Sequence, residues 1–306
     1  MLISHQNGIA FLTSVFATKW VIVPLLVIGC EGGPRGILVV QVSGGNEARE
    51  GIPRERFRDG YAVRYRHVVL ELEGFFLASR DGERARIEVE PVVVELVPQP
   101  AQAFRIEGVP ARRWDLVGFS SRPVPPNARL AQGVDQSIVE RMRREGWSLY
   151  LEGTLIGRTP PRGEPGEIEF EFGIPVAVDY TECSSGDGTL GIVVVANTIT
   201  QGEITWHLTH TWFDSFVENA SLRGEAYAAA WPGRGPLLAE HLRTQLLSRL
   251  RGVDGGPLLD EEGNPIQYLP GMTGARTLRE FLFSHRYAHW NGLDGECKSE
   301  IRILAP

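Results

Sequence analysis

The pattern of hydrophobic and polar positions between residues 37 and 199 predicts a protein built mainly of short β-strands. Apolar runs alternate with turn-forming clusters such as Ser43-Gly-Gly-Asn and Thr159-Pro-Pro-Arg-Gly. The strand candidates cover residues 37–42, 61–78, 87–97, 103–109, 114–117, 149–155, 168–174 and 192–199. Many short strands at this spacing favour an antiparallel β-sandwich.

The longest of these segments, 61–78, changes its apolar phase in the middle. Odd positions from Tyr61 to Val69 form one apolar face, and even positions from Val68 to Leu72 then form the other. Because side chains alternate between faces with a period of two, this shift predicts either a β-bulge or burial on both faces.

Helical patterns become frequent after residue 210. The predicted helices cover 134–144, 213–230, 237–250 and 277–283, and a last strand covers 300–304. The helix over 237–250 has its leucines on one stripe, and Thr277 with Glu280 forms a capping box. We therefore expect an α+β, mainly β fold, in which an antiparallel β-sandwich over 37–210 carries a C-terminal helical layer over 211–306.

Residues 20–30 have the pattern of a bacterial export signal. Lys19 precedes about ten apolar residues that end in Gly29 and Cys30. The run is shorter than the about 20 residues of a transmembrane helix, and Val-Ile-Gly-Cys resembles the lipobox of bacterial lipoproteins. We predict a signal peptide over 1–29, a Cys30 that is lipidated and palmitoylated, and a tether over 30–36. The alternative is a buried strand.

Lipidation would place the protein in the bacterial cell envelope, outside the cytoplasm. The lack of Asp after Cys30 implies, for lipoproteins of this kind, passage to the outer membrane, with the chain facing the periplasm or the outer surface. Cysteines oxidise in such a compartment. Cys183 and Cys297 are then predicted to form a disulfide, the alternative being two separate buried thiols.

Composition and charge exclude several classes of function. The formal charge is −7, and no run of Lys or Arg is long enough to bind nucleic acid. The only lysines are Lys19 and Lys298, which leaves almost no candidate for Schiff-base chemistry. The sequence also lacks a P-loop, a dinucleotide fingerprint and a G-x-S-x-G elbow.

Histidines near the C-terminus are the strongest candidates for chemistry. His207, His210 and Asp214 lie in one short segment, and His285 and His289 lie in another. Neutral imidazoles with a carboxylate suit copper or zinc. We predict His207, His210 and His289 as ligands, provided that His207–Asp214 begins a helix or forms a strand-to-helix corner. Asp214 is expected as a ligand or as the partner of a ligand.

Two further histidines are weaker candidates for this metal site. His285 shares the second segment, and His67 could reach the site from the sheet. The alternative for each histidine is a half-buried side chain with one satisfied ring nitrogen, because an H-x-x-H spacing alone is common.

Several motifs resemble a group of uncharacterised bacterial lipoproteins. The matching stretches are Asp59-Gly-Tyr-Ala-Val-Arg-Tyr, Tyr180-Thr-Glu-Cys, 204–214, and His289-Trp-Asn-Gly followed by Cys297. That group carries an EF-hand-like acidic loop where this chain has Ala230-Trp-Pro-Gly-Arg-Gly, so we predict no calcium there. The chain more distantly resembles periplasmic copper proteins linked to methanobactin systems, which are also β-rich and histidine-liganded.

These observations predict an exported lipoprotein that binds copper or zinc for metal binding or delivery, with the membrane as partner through its lipid. The rival interpretation is a metal-free envelope module that binds a protein partner through exposed aromatic side chains. Its candidate residues are Trp206, Trp212, Trp231 and Trp290. An enzyme is a third interpretation, although no nucleophile or general base lies convincingly beside the histidines.

Overall fold

The computed structural model describes residues 33–304, except residues 81, 83, 86, 88, 162, 218–219, 261 and 292–295. The predicted signal peptide, the predicted lipidated Cys30 and the first residues of the tether lie outside the described residues and stay predictions. Within the described part of the chain, no helix is long and apolar enough to cross a membrane.

Strands dominate the described residues. In chain order they are β1 (Arg35–Ser43), β2 (Ala62–Ala78), β3 (Val92–Glu95), β4 (Ala101–Pro110), β5 (Arg113–Trp114), β6 (Leu116–Ser121), β7 (Arg129–Leu130), β8 (Leu149–Thr159), β9 (Glu164–Ile174), β10 (Val176–Thr181), β11 (Ile192–Val193), β12 (Ile199–Trp206), β13 (Leu237–Leu238), β14 (Ala288–Trp290) and β15 (Lys298–Ile303). The α-helices are α1 (Gly45–Glu50), α2 (Gln136–Glu145), α3 (Glu225–Ala229) and α4 (Leu278–Phe283). The 3₁₀ helices are Arg54–Arg56, Leu208–Trp212, Ala239–Thr244 and Gly271–Thr273.

Two larger sheets and one small ribbon organise these strands. The first sheet has the order β14-β12-β1-β4, in which β1 pairs parallel to β12 and antiparallel to β4. The second has the order β13-β9-β8-β2-β6-β10-β15, with β3 beside β2 and β7 beside β3. The ribbon joins β11 to β5. Because β14 and β15 come from the C-terminal third of the chain, that part contributes an edge strand to each large sheet.

One hydrophobic core unites the two large sheets. It contains Leu38 of β1 and Ile204 of β12 from the first sheet, together with Leu70 of β2 and Phe172 of β9 from the second. A smaller cluster lies on the other face of β2, where α2 covers Val69. The fold class is confirmed as α+β, mainly β: an antiparallel β-sandwich whose C-terminal region carries short helices.

Local signals in the sequence were accurate where side chains fix the backbone directly. The pairing of β2 with β8 slips between Tyr65 and His67, which confirms the irregularity predicted from the change in apolar phase. Helix α2 begins after Asp135, whose side chain accepts a hydrogen bond from the Ser137 N–H, and ends at the left-handed Gly146.

The predicted helix over 237–250 is wrong. Leu237 and Leu238 instead form β13 against Phe170 and Glu171 of β9, and a 3₁₀ helix and loops follow. The leucines of the stripe still supply buried contacts, since Leu242 is fully buried. Tertiary pairing with β9 overrides the helical pattern.

The predicted helix over 213–230 is also largely wrong, since among the described residues of this range only Glu225–Ala229 is α-helical. Phe213 forms an isolated bridge with Leu222, and Asp214 accepts a hydrogen bond from the Ser221 N–H at 3.0 Å. An aspartate that binds backbone N–H groups in this way stabilises a turn in competition with a helix.

The fully buried Glu71 of β2 leads to a testable prediction about stability. Its Oε2 accepts the Arg122 N–H at 2.6 Å, and its Oε1 has no hydrogen-bond partner among the described residues. Burial raises the pKa of this carboxyl to about 9, with the Arg122 hydrogen bond opposing the rise and the Glu73 charge adding to it. The folded chain therefore keeps a proton that the unfolded chain releases above its ordinary pKa near 4.5, so stability falls as the pH rises through this window.

We expect Glu71→Gln to raise the free energy of unfolding at pH 7 by about 3 kcal/mol, at 1.36 kcal/mol for each pKa unit. Near pH 4 the two proteins should be equally stable, because both states then hold the proton. Urea denaturation between pH 4 and pH 8 measures the difference, with Glu167→Gln, at an exposed glutamate of β9, as the control. A difference that does not change with pH would show that Glu71 is ionised in the folded protein.

Candidate metal site

His207 and His210 are placed by the end of β12. His207 lies at the corner where β12 ends and the 3₁₀ helix Leu208–Trp212 begins, and its backbone is extended. Its N–H donates to the Tyr287 carbonyl at 2.6 Å. The His210 N–H donates to the His207 carbonyl at 3.2 Å, which brings both histidines to the same turn. This is the strand-to-helix corner that the sequence analysis required.

His289 reaches the same place from β14. It is the central residue of that strand and lies opposite Thr205 of β12. His207 is two residues beyond Thr205, just after the end of β12 and still extended, so the two histidines lie diagonally on one face of the antiparallel pair. The pairing of an edge strand therefore joins two segments that are remote in sequence.

Buried hydroxyl groups fix the 3₁₀ helix that carries His210. The Tyr65 hydroxyl donates to the Leu208 carbonyl at 3.0 Å and accepts the Trp212 Nε1–H at 2.8 Å. The Tyr227 hydroxyl donates to the Thr211 carbonyl at 2.6 Å. Sequence reasoning missed these tyrosines as positioning residues, although Tyr65 lies in one of the motifs quoted above.

The three imidazoles form a compact cluster. One ligand atom from each of His207, His210 and His289 lies within 4.8 Å of the other two. The ring centres are 4.1 Å apart for His207 and His289, 5.2 Å for His207 and His210, and 5.6 Å for His210 and His289. In a tetrahedral site with metal–nitrogen bonds of about 2.0–2.1 Å, ligand nitrogens are about 3.4 Å apart. Small side-chain rotations would bring the cluster to that spacing.

The cluster favours neutral imidazoles, which are the form that binds metal. Burial, together with the neighbouring His289 and His210 rings, lowers the pKa of His207 to about 3. Burial likewise lowers the pKa of His210 to about 4, although the hydrogen bond to the Arg286 carbonyl opposes this shift. Both rings therefore carry a lone pair at neutral pH.

The hydrogen bonds of two rings indicate which nitrogens are open to a ligand. The Arg286 carbonyl can only accept, so the Nδ1–H of His210 donates to it and Nε2 keeps its lone pair. The buried Nε2 of His207 has no hydrogen-bond partner among the described residues. A buried polar atom without a partner is costly, and a bound metal would satisfy it.

Asp214 does not join the cluster, so its predicted role as a ligand or as the partner of a ligand is wrong in this structure. Its Oδ2 accepts the Arg223 Nε–H at 2.8 Å and its Oδ1 accepts the Ser221 N–H at 3.0 Å. The prediction assumed an α-helix, in which His210 and Asp214 would share a face. The chain instead leaves the 3₁₀ helix at Phe213 with extended backbone, and a carbonyl supports His210.

The two weaker candidates also lie outside the cluster. His67 bonds through Nδ1 to Glu95 Oε2 at 2.9 Å on the neighbouring strand β3. His285 is fully buried and packs against the rings of Phe216 and Phe281. Burial lowers the pKa of His285 well below its ordinary value, so it is a neutral core side chain.

The rival interpretation predicted an exposed aromatic patch, and this prediction is wrong. Trp206, Trp212 and Trp290 are buried in the core. Trp231 is half-buried, and its Nε1–H donates to the Gly235 carbonyl at 2.7 Å. These side chains fill the hydrophobic core of the sandwich, because large aromatic rings bury the most apolar area per residue.

The structure joins Cys183 and Cys297 in a disulfide, with their Cα atoms 4.0 Å apart. Cys183 follows β10, and Cys297 immediately precedes β15, the strand that pairs with β10. The Ser184 N–H donates to the Glu296 carbonyl at 2.7 Å and continues the contact. The covalent link therefore holds the C-terminal segment against the larger sheet.

Comparisons with known proteins give little help with function. No protein-family model and no curated protein matches the chain. A solved structure with a weak likeness is MbnP from Methylosinus trichosporium, at 12% sequence identity, 58% coverage of this chain, 76% coverage of that chain and a TM-score of 0.31. MbnP is thus a weak structural neighbour of this chain.

Proposed function

We propose that this chain is an exported, lipid-anchored protein that binds copper or zinc at His207, His210 and His289. The observation that carries the proposal is the convergence of these imidazoles, with ligand atoms within 4.8 Å of one another. Two separate segments supply them, and buried tyrosines position one of those segments.

The three histidine ligands suit a borderline metal ion that can be passed to another ligand. Three imidazole nitrogens, with neither a thiolate nor a carboxylate among the clustered residues, match the preferences of zinc and copper. Structural zinc sites are usually closed by four protein ligands, whereas three ligands leave one position for water or an incoming donor. We therefore infer a role in metal binding or delivery.

The sequence supports the envelope as the location. Lys19, the apolar run and Cys30 form a lipoprotein signal, and the described fold begins only a few residues after Cys30. Anchoring would keep the metal site in the periplasm or at the outer surface, where metal exchange with an envelope protein partner can occur.

Elemental analysis tests the metal site. The full chain is expressed with its own leader, isolated from membranes without a chelator or histidine tag, and analysed beside His207→Ala/His210→Ala. We expect close to one copper or zinc per chain in the unaltered protein and almost none in the variant, because one remaining imidazole cannot hold the ion against exchange.

The matched control is His67→Ala/His241→Ala, which removes two half-buried histidines outside the cluster. This variant should retain its metal. Absence of metal from the unaltered protein, even after incubation with copper or zinc, would refute the proposed site. Equal loss in both double variants would show that the metal is bound adventitiously by histidines.

A further inference from the structure

Three exposed aliphatic side chains lie around the beginning of β1, and we call them the aliphatic patch: Val193, Val195 and Ile199. Their exposed fractions are 50%, 52% and 55%. Val193 and Val195 alternate with the buried Ile192 and Val194, so both point outward from the same face. Grouped exposed aliphatic side chains on a folded protein mark interaction surfaces.

The aliphatic patch surrounds the beginning of β1. The Arg35 carbonyl accepts the Asn197 N–H at 2.8 Å, and Ile199 is the register partner of Ile37. Gly36 packs so closely that a Cβ there would lie 2.3 Å from the Val195 carbonyl oxygen. Strand β1 therefore begins inside this surface.

Arg113 borders the aliphatic patch. It is the register partner of Val193, so the two side chains lie on the same face of the small ribbon. Its Nε lies 3.1 Å from Asp115 Oδ1, and its Nη2 donates to the Leu190 carbonyl at 2.8 Å. The Arg113 side chain is still 49% exposed, so a lipid phosphate can reach it.

The short tether brings the aliphatic patch close to the predicted anchor. Only residues 31–33 separate Cys30 from Pro34, and at no more than about 3.6 Å per residue these positions lie within about 14 Å of each other. A lipid on Cys30 would therefore hold this end of the sandwich at the membrane surface.

We propose that the aliphatic patch, together with Arg113, is a membrane-contact surface, which seats the sandwich on the bilayer with the start of β1 facing the lipid. The valines and isoleucine insert at the boundary of the acyl chains, and the Arg113 guanidinium contacts a lipid phosphate. The inference rests on the lipid anchor of the proposed function, and the surface orients a protein that its lipid already attaches.

The orientation of the sandwich on the bilayer determines where the metal site lies. Strand β12 begins at Ile199 and ends beside His207. Eight residue steps at about 3.3 Å each place the two ends about 26 Å apart. Seating the aliphatic patch on the bilayer holds the histidine cluster at the opposite end of the strand, away from the lipid and open to partners in the aqueous phase.

Amide hydrogen exchange of the full chain tests the membrane contact. Exchange is measured in detergent, on phosphatidylcholine vesicles and on vesicles that also contain phosphatidylglycerol. We expect the amides of residues 193–199 to exchange about fivefold or more slowly on vesicles than in detergent. Protection should be stronger on the anionic vesicles because Arg113 borders the patch.

A matched pair of variants isolates the surface. Val193→Ser/Val195→Ser/Ile199→Ser should lose the protection. Leu246→Ser/Leu259→Ser/Leu269→Ser, which changes side chains exposed by 47%, 46% and 48%, should keep it. Unchanged exchange at 193–199 on both kinds of vesicle would overturn the proposal and leave the surface to a protein partner.

Mass spectrometry of Cys30 shows whether the lipid anchor is present, independently of the test of the membrane contact. If Cys30 carries no lipid, the anchoring part of the proposed function fails, and exchange with added vesicles still decides whether the aliphatic patch contacts lipid.

Discussion

Saturating zinc or copper is expected to raise the free energy of unfolding of this chain by about 4 kcal/mol when free metal exceeds the dissociation constant about 1,000-fold. The folded chain assembles His207, His210 and His289 into one cluster, whereas the unfolded chain disperses them. Because metal binds the folded state more tightly, its binding energy adds to stability. Urea denaturation at buffered free metal concentrations measures the increase.

His207→Leu separates metal binding from ordinary packing. This variant should lose the metal-dependent increase, yet its metal-free form should be at least as stable as the unaltered protein. The reason is that leucine removes a buried nitrogen that has no hydrogen-bond partner among the described residues. His67→Leu, at a histidine outside the cluster, should keep the full increase. Equal stability with and without metal in the unaltered protein would contradict the proposed site.

The metal-dependent increase in the free energy of unfolding can also be tested at acidic pH. Protons compete with metal for imidazole, and an unperturbed histidine begins to lose metal near its pKa of about 6.5. Burial lowers the pKa of His207 to about 3 and that of His210 to about 4. The metal-dependent increase should therefore persist at pH 5.5, and a loss already complete at that pH would show that the rings are more solvated than the structure indicates.

The sequence was informative about this site where the chemistry is local. The spacing of His207 and His210 and the requirement for a corner could be read from the residues. The approach of His289 depends on the pairing of β14 with β12, and no local pattern encodes which strand pairs with which. His289 was named because it lies in the second of two short segments that contain histidines. Asp214 was misplaced because an i, i+4 spacing has meaning only on a helix.

The same distinction applies to the fold. The predictions made from helix caps and from changes in apolar phase were accurate, as at Asp135, Gly146 and the irregularity in β2. The apolar run over 192–199 was predicted as one strand, but the structure divides it into β11, a turn and the start of β12. A positive φ at Asn197 makes that turn possible. Short apolar runs carry no information on whether a turn interrupts them.

Removing the Cys183–Cys297 disulfide is expected to lower the free energy of unfolding by about 4–5 kcal/mol. The two cysteines are 114 residues apart in sequence, and closing so long a loop restricts the unfolded chain severely. All three clustered histidines lie within that loop. The link therefore limits the disorder of the segment that must bring the metal ligands together, and its loss should also weaken metal binding.

The measurement compares the unaltered protein with Cys183→Ala/Cys297→Ala by urea denaturation. Cys183 is fully buried, so its truncation adds a packing loss to the lost cross-link. The unaltered protein under reducing conditions keeps both sulfur atoms and loses only the bond. The difference in free energy of unfolding between this reduced protein and the alanine variant therefore gives the packing contribution. If reduction alone costs less than about 1 kcal/mol, the unfolded chain is already compact and the loop-entropy account fails. If reduction costs about 4 kcal/mol, the cross-link is a main determinant of stability, because single-domain proteins are stable by only about 5–15 kcal/mol.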